Sequence, residues 1–400
     1  MFAISRINKC ESCIHKPMVN CNKRFSKMEK RKTIIFMAPT PPPYMGPSIA
    51  TQIILNSRFV NEFHVIHIDT ADRRPLNKMA KIDITNIYLA LKHYCVLFHK
   101  LLLNKVDLVY IPISQMTIGF LRDFPFIVLS KLFKKKVILH LRGGYFREFY
   151  NSSGRIMKYI IRRTLAKIDM MIVLGECLKP LFEGLVPEEK ISVVPNGADV
   201  PFDAGGNYTS HNDQITILFL SNLVEQKGFK DVLQSIPIVM ASDADVKYVF
   251  AGTWMNDKDE IECKRFIEQN MLNEKVEFIG AIAGKQKANL LRHTDVFVFP
   301  TYYPMEGHPW VIVEAMAAGL PIITTDQGCI RESVINGENG YIVPHRDPKA
   351  IAEQTLRLIE NPVLRKSMGL RSRELYEANF TKEHFVQRMI DTVNLTLNGK

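Results

Sequence analysis

The chain is predicted to be an α/β protein of two doubly wound domains, each a parallel sheet covered on both faces by helices. Three observations predict it. Short Val/Ile/Leu-rich runs alternate with longer amphipathic stretches from Thr33 to the C-terminus, and apolar strands separated by helices mark a parallel sheet buried on both faces. The alternation pauses once, at Pro201–Gln214 (PFDAGGNYTSHNDQ), whose Gly, Asn, Ser and Asp content is that of a linker. The 400 residues are too many for one ordinary core and suit two.

In order, the first strand is Thr33–Ala38 (TIIFMA), followed by the loop PTPPPYMGPS and a helix from about Ile49. Further strands are expected at His64–Ile68, Val106–Ile113, Val137–Leu141, Met170–Leu174 and Ile191–Val194, with helices such as Ile87–Leu103 and Gly154–Ala166 between them. After a hinge near Phe202–Asp213 the second set is Ile215–Leu220, Val246–Ala251, Val276–Ile279, Val296–Phe299, Pro321–Thr324 and Tyr341–Val343. A last amphipathic helix, Thr381–Leu397, opens at a Thr N-cap with Glu383 in its first turn. The boundaries are thus a polar leader over 1–31, domains over 32–205 and 206–380, and a terminal helix over 381–400 that crosses back to the first domain.

Composition narrows the class. With 46% hydrophobic and 23% charged residues the chain is globular, not disordered or collagen-like. The best apolar stretches are interrupted by Lys92 and His93, or by Arg122, Asp123 and Lys131, well short of the ~20 residues a membrane span needs. The leader has no apolar run after its basic residues, so it does not read as a signal peptide, and Met28 is an alternative start. Cys95, Cys177, Cys263 and Cys329 are scattered through apolar or amphipathic stretches and read as reduced core residues of a cytosolic protein. Cys10, Cys13, His15 and Cys21 resemble a small metal cluster, without the second Cys pair of a zinc site. A net charge of +11 suits an anionic partner or simple solubility.

Two facing doubly wound sheets make a cleft at the carboxyl ends of their strands, where ligands bind. Two segments there carry chemistry. In FPTYYPMEGHPWVIVEAMAAGLPII (Phe299–Ile323) a loop with Glu306, Gly307 and His308 leads into a helix, with Pro309 at its N1 position and Trp310 after it. Glu314 lies in an apolar stretch of that helix, where a carboxylate is costly unless bonded. Adjacent hydroxyls of a ribose would bond both oxygens; a structural Lys or Arg would serve instead. Glu306 can accept hydrogen bonds from sugar hydroxyls. The second segment, LFLSNLVEQKGFK (Leu218–Lys230), is a strand-to-helix turn with Ser221, Asn222, Lys227 and Gly228 that can hold a phosphate.

Taken together these motifs resemble the retaining glycosyltransferases of family 4, the group-1 glycosyltransferases, from Thr33 to the C-terminus. The resemblance rests on VVPNGADV (Val193–Val200), LSNLVEQKG (Leu220–Gly228), Ala251–Gly252, VEFIGAI (Val276–Ile282), TDVFVFPT (Thr294–Thr301) and the pair Glu306 and Glu314. It implies the GT-B fold, two Rossmann-like domains with parallel sheets facing across a cleft. It implies that Glu314 binds the ribose of a nucleotide sugar, Glu306 the donor sugar and Lys227 the diphosphate, and that the loop of Gly280 and Ala281 lies near the base. Gly307, His308, Pro309 and Trp310 complete the donor set.

The chain departs from the family pattern at three places. Asn222 stands where an Arg commonly flanks the diphosphate, and the Gly-rich first loop is reduced to Gly46. In VILHLRGGYFREFY, Arg142 occupies the usual His–Gly position, with His140 two residues earlier on the same strand face. Arg142 is expected to hold the diphosphate. His140 is expected either to touch the sugar or acceptor or to be a satisfied strand-end histidine.

The activity implied is transfer, with retention, of a sugar from UDP or GDP to a glycan or lipid-linked glycan in cell-surface polysaccharide or lipopolysaccharide assembly. Charge on the leaving diphosphate is met by Lys227, Arg142 and helix N-termini. No cofactor or metal is expected, since the cleft loops hold no Asp-x-Asp motif. Basic clusters at Lys131, Lys134, Lys135 and Lys136, and at Arg155, Lys158, Arg162 and Arg163, suit peripheral docking on the anionic inner face of a membrane, or an ordinary solvated face. Nucleic-acid binding is not expected, for want of any such module. The alternatives are a nucleotide-sugar epimerase or phosphorylase on the same fold, and a degenerate nucleotide-sugar-binding scaffold.

Overall fold

The computed structural model describes residues 31–74, 84–198 and 214–399, and among these twelve strands form two six-stranded sheets. The leader with Cys10, Cys13, His15 and Cys21, and the hinge at 202–213, lie outside the described residues. The first sheet is built from β1 (Thr33–Ala38), β2 (His64–Asp69), β3 (Leu108–Ile113), β4 (Lys136–Leu141), β5 (Met170–Val173) and β6 (Ile191–Val193). The second has β7 (Ile215–Leu220), β8 (Val246–Ala251), β9 (Val276–Gly280), β10 (Val296–Phe299), β11 (Ile322–Thr325) and β12 (Gly340–Val343). Every pairing within them is parallel.

Sheet order decides where a site can form. It is β2-β1-β3-β4-β5-β6 in the first sheet and β12-β11-β10-β7-β8-β9 in the second. The order of the second sheet reverses between β7 and β10, the kind of switch point outside whose strand ends a ligand crevice forms.

Period-two alternation divides the first sheet's core. Ile35 and Met37 of β1 join the cluster on one face; Ile34, Phe36 and Ala38 join the other. That second face is covered by α1 (Gly46–Leu55) and by the terminal helix, which supplies Phe385, Met389 and Val393. The terminal helix spans Lys382–Asn398, and its N-cap Thr381 accepts the His384 N–H at 3.3 Å. α1 starts at Gly46, three residues before the expected Ile49, because Pro47 presets φ for a first helical turn. α2 (Arg155–Leu165) lies on the surface of this lobe.

The second lobe's helices include α3 (Phe229–Met240), α4 (Gly284–Arg292) and α5 (Trp310–Ala317). Its core is one cluster, from Ile217 and Leu218 to Met316 and Ile323. The four described cysteines are free, but they are not all core residues: Cys263 and Cys329 are buried, whereas Cys95 and Cys177 are exposed. No helix among the described residues is long and apolar enough to cross a membrane.

Candidate functional site

The loops after β7 and β10 meet at the crevice of the second sheet. After β7 the chain makes a short 3-10 turn, Glu225–Lys227, and Gly228 takes a left-handed φ of 84°. A Cβ at Gly228 would fall 2.3 Å from the Pro300 carbonyl oxygen, so only glycine lets the loops approach this closely. The Tyr302 N–H donates to the Gln226 carbonyl at 2.8 Å and fastens them together.

That approach places the Lys227 ammonium 2.5 Å from Glu306 Oε2 and 4.5 Å from the Tyr303 ring centroid. Thr301 Oγ1 donates to the same Glu306 oxygen at 3.2 Å. Glu306 is buried, so its charge depends on these partners.

α5 carries the second carboxylate. Pro309 is its N-cap, not N1 as expected, because its ψ of 126° is still extended. Glu314 points inward from the helix and is buried, and Lys287 of α4 closes on its Oε1 at 2.5 Å. The carboxylate is therefore held by a lysine of the loop-and-helix segment that follows Gly280.

From the first lobe, Arg142 projects just beyond β4. Its guanidinium donates to Asn196 Oδ1 at 3.1 Å and to the Tyr110 hydroxyl at 3.2 Å, and lies over the Phe385 ring. The Tyr110 hydroxyl bonds His140 Nδ1 at 2.9 Å. Asn196 then crosses to the second lobe: its N–H donates to His308 Nδ1 at 3.0 Å and its amide to the His308 carbonyl at 2.7 Å. With Nδ1 accepting, the His308 proton sits on Nε2, which bonds Ser333 Oγ at 2.6 Å. Burial, with Arg388 adding to it, pushes the His308 pKa down to about 3, so this ring is neutral at physiological pH.

His140 lies on β4, two residues before Arg142. It shares the strand face of Arg142 but has no exposed surface. Burial, with Arg142 adding to it, holds its pKa well below the ordinary value. Its Nδ1 meets the Tyr110 hydroxyl, and its Nε2 is buried without a hydrogen-bond partner among the described residues.

Gly46, Arg142, Lys227, Glu306, Gly307, His308, Pro309 and Trp310 line one cavity of about 240 Å³. Gly46 is there because a Cβ would meet the Trp310 ring at 3.0 Å. Asn222, Gly280 and Ala281 are exposed and lie outside this lining, as does buried Glu314. Ser221, expected in the phosphate-holding turn, also lines the cavity, whereas sequence reasoning missed Lys287 and Asn196. A lysine in GKQKANLLR looks like an ordinary surface residue until α4 and α5 pack, and an asparagine in VVPNGADV looks like an ordinary turn residue until the lobes are assembled.

The chain resembles known proteins in sequence and in fold. Residues 206–375 match the family model described as glycosyl transferases group 1. The chain is 30% identical over 246 residues to the capsular polysaccharide biosynthesis glycosyltransferase CapM of Staphylococcus aureus, covering 56% of this chain and 63% of the relative. It is 31% identical over 176 residues to a phosphatidyl-myo-inositol mannosyltransferase of Mycobacterium leprae, covering 43% and 45%. The chain thus spans less than two thirds of these curated relatives. Among solved structures, Anabaena Alr3699/HepE in complex with UDP and glucose superposes with a TM-score of 0.68 at 16% identity, covering 91% of this chain and 99% of the other. Two facing six-stranded parallel sheets with this strand order are the GT-B fold, and across residues 206–375 the chain is similar to the group 1 glycosyl transferases.

Proposed function

We propose that this protein is a retaining glycosyltransferase that moves a sugar from UDP or GDP to a glycan or lipid-linked glycan of the cell surface. The observation that carries the proposal is the pair of buried carboxylates, Glu306 and Glu314, each matched to a lysine of the second lobe, with Arg142 of the first lining the same cavity as Glu306. In this reading Glu314 takes the ribose hydroxyls and Glu306 orients the donor sugar. Lys227, Arg142 and the N-terminus of α5 meet the negative charge that grows on the departing diphosphate. The protein supplies preorganised electrostatics and needs no metal for that step. The acceptor attacks on the face the diphosphate leaves, through an oxocarbenium-like transition state.

Calorimetric titration with UDP, GDP and ADP, without added metal, tests the donor site. One nucleotide is expected to bind, and the Glu314→Ala variant to weaken it at least tenfold, about 1.4 kcal/mol. Equal affinity in the variant would remove Glu314 from the site. Binding with no transfer to any glycan would favour the scaffold alternative.

The acceptor side of the proposal is peripheral docking on an anionic membrane. On α2, Ile156 is 80% and Tyr159 60% exposed, among Arg155, Lys158, Arg162 and Arg163. Apolar side chains flanked by basic ones suit an interfacial helix. Flotation with phosphatidylglycerol vesicles is expected to carry the wild-type protein upward at low salt and to leave an Ile156→Glu, Tyr159→Glu double variant behind. Co-flotation of both would sink the assignment of α2.

A further inference from the structure

Cys177 and Cys329 lie on different lobes, and neither lines the cavity above. Cys177 follows β5 in the 3-10 segment Glu176–Phe182; Cys329 follows β11. The two sulfurs and a Glu332 carboxylate oxygen all lie within 4.8 Å of one another. Both cysteine backbones are pinned. Glu332 accepts the N–H groups of Cys177 at 2.7 Å and Glu176 at 3.0 Å, and the Cys329 N–H donates to the Gly307 carbonyl at 2.7 Å. Gly175 makes the approach possible, since a Cβ there would lie 2.5 Å from the Cys329 sulfur. With both Glu332 oxygens engaged by backbone, the two thiols are the reactive unit of the cluster.

We propose that Cys177 and Cys329 form a reversible redox-modification site, a disulfide that staples the two lobes together behind the Glu306 loop. The oxidant class is a low-molecular-weight disulfide, RSSR. Cys177 is exposed and Cys329 is 1% exposed, so the reagent meets Cys177 first. The Cys177 thiolate attacks one sulfur of RSSR, forming a mixed disulfide and releasing one RS⁻. Its bond to Cys177 and its burial keep Cys329 a neutral thiol, so the RS⁻ released in the first step takes its proton as it attacks the Cys177 sulfur and expels the second RS⁻. Two protein thiols are oxidised, one RSSR is reduced to two RSH, and the protons balance. The closing step needs the sulfurs to move from within 4.8 Å to a bond of ~2.05 Å, and pinned neighbours have a high effective concentration.

Because Cys329 is hydrogen-bonded to Gly307, the staple ties the β5 loop directly to the loop that carries Glu306. The inference is independent of any sugar transfer, and so is its test. The full chain is incubated with oxidised glutathione, the remaining thiols are alkylated in denaturant, and peptides are mapped by mass spectrometry. The expected result is one peptide joining Cys177 to Cys329, the loss of both residues from the alkylated pool, and full reversal by dithiothreitol. Cys177→Ser, a change at an exposed position, is expected to leave Cys329 alkylated, while Cys95→Ser still cross-links. Alkylated Cys329 in the oxidised wild-type protein, whether Cys177 is free or glutathionylated, would overturn the proposal.

Discussion

Replacing Glu306 with alanine is expected to lower sugar transfer by about 10²–10³-fold, the scale of removing one preorganised group from an active site. The change acts twice. Under the proposed function it removes the acceptor that would orient the donor sugar, and it leaves the Lys227 ammonium without the carboxylate at 2.5 Å, facing only the rings of Tyr303 and Phe299. Lys227 and Glu306 side chains are 18% and 10% exposed, so water replaces the lost partner poorly. A stability loss of roughly 1–3 kcal/mol accompanies the change. Glu306→Gln separates the two effects: it keeps the shape and most hydrogen bonds but loses the charge. Steady-state transfer and thermal melts on both variants decide the role. If Gln retains wild-type turnover, Glu306 is a structural anchor for Lys227 and not a group that meets the sugar.

The second large effect is expected from Gly144→Ala. Gly144 follows Arg142 in the loop after β4, and a Cβ on it would stand 2.5 Å from the Glu306 carbonyl oxygen. The obstacle is backbone, so no side chain can swing aside. The lobes must separate locally, or the Glu306 loop must shift by a few tenths of an ångström or more. A displacement on the ångström scale costs catalysis up to about 10²-fold. The clash lies between lobes and not inside either core, so the melting temperature is expected to stay within a few degrees of wild type. Gly154→Ala is the control, since no atom lies within 4 Å of the point where its methyl would stand. Gly144→Ala with full activity would show that the contact between the two loops is not needed for turnover.

Much of the fold was legible because strands and helices are encoded locally. β1, β7, β8 and β10 span the same residues as the apolar runs that predicted them. The Thr381 cap follows from one hydroxyl three residues ahead of the N–H it accepts. Boundaries moved by one to three residues where backbone geometry outweighed composition, as at Pro309 and Gly46. The Glu306 and Glu314 segment was legible as a site because carboxylates in apolar surroundings demand partners, whatever those partners are.

The partners themselves emerge only when the chain is folded. Lys287 meets Glu314 across 27 residues, Lys227 meets Glu306 across 79, and Asn196 meets His308 across 112. Such contacts depend on strand order, on how the lobes face, and on which glycines permit close approach. No local period records these. The same limit explains His140, whose strand face was readable while its depth was set by Tyr110. It also explains Cys177 and Cys329, which look scattered along the chain and become neighbours only when the loops after β5 and β11 are brought together. Residue order alone specifies two parallel α/β halves and a pair of carboxylates in need of bonding, because side-chain burial and backbone sterics act over a few residues. Which cation meets which carboxylate is settled by how the loops and helices of the second lobe pack on its sheet.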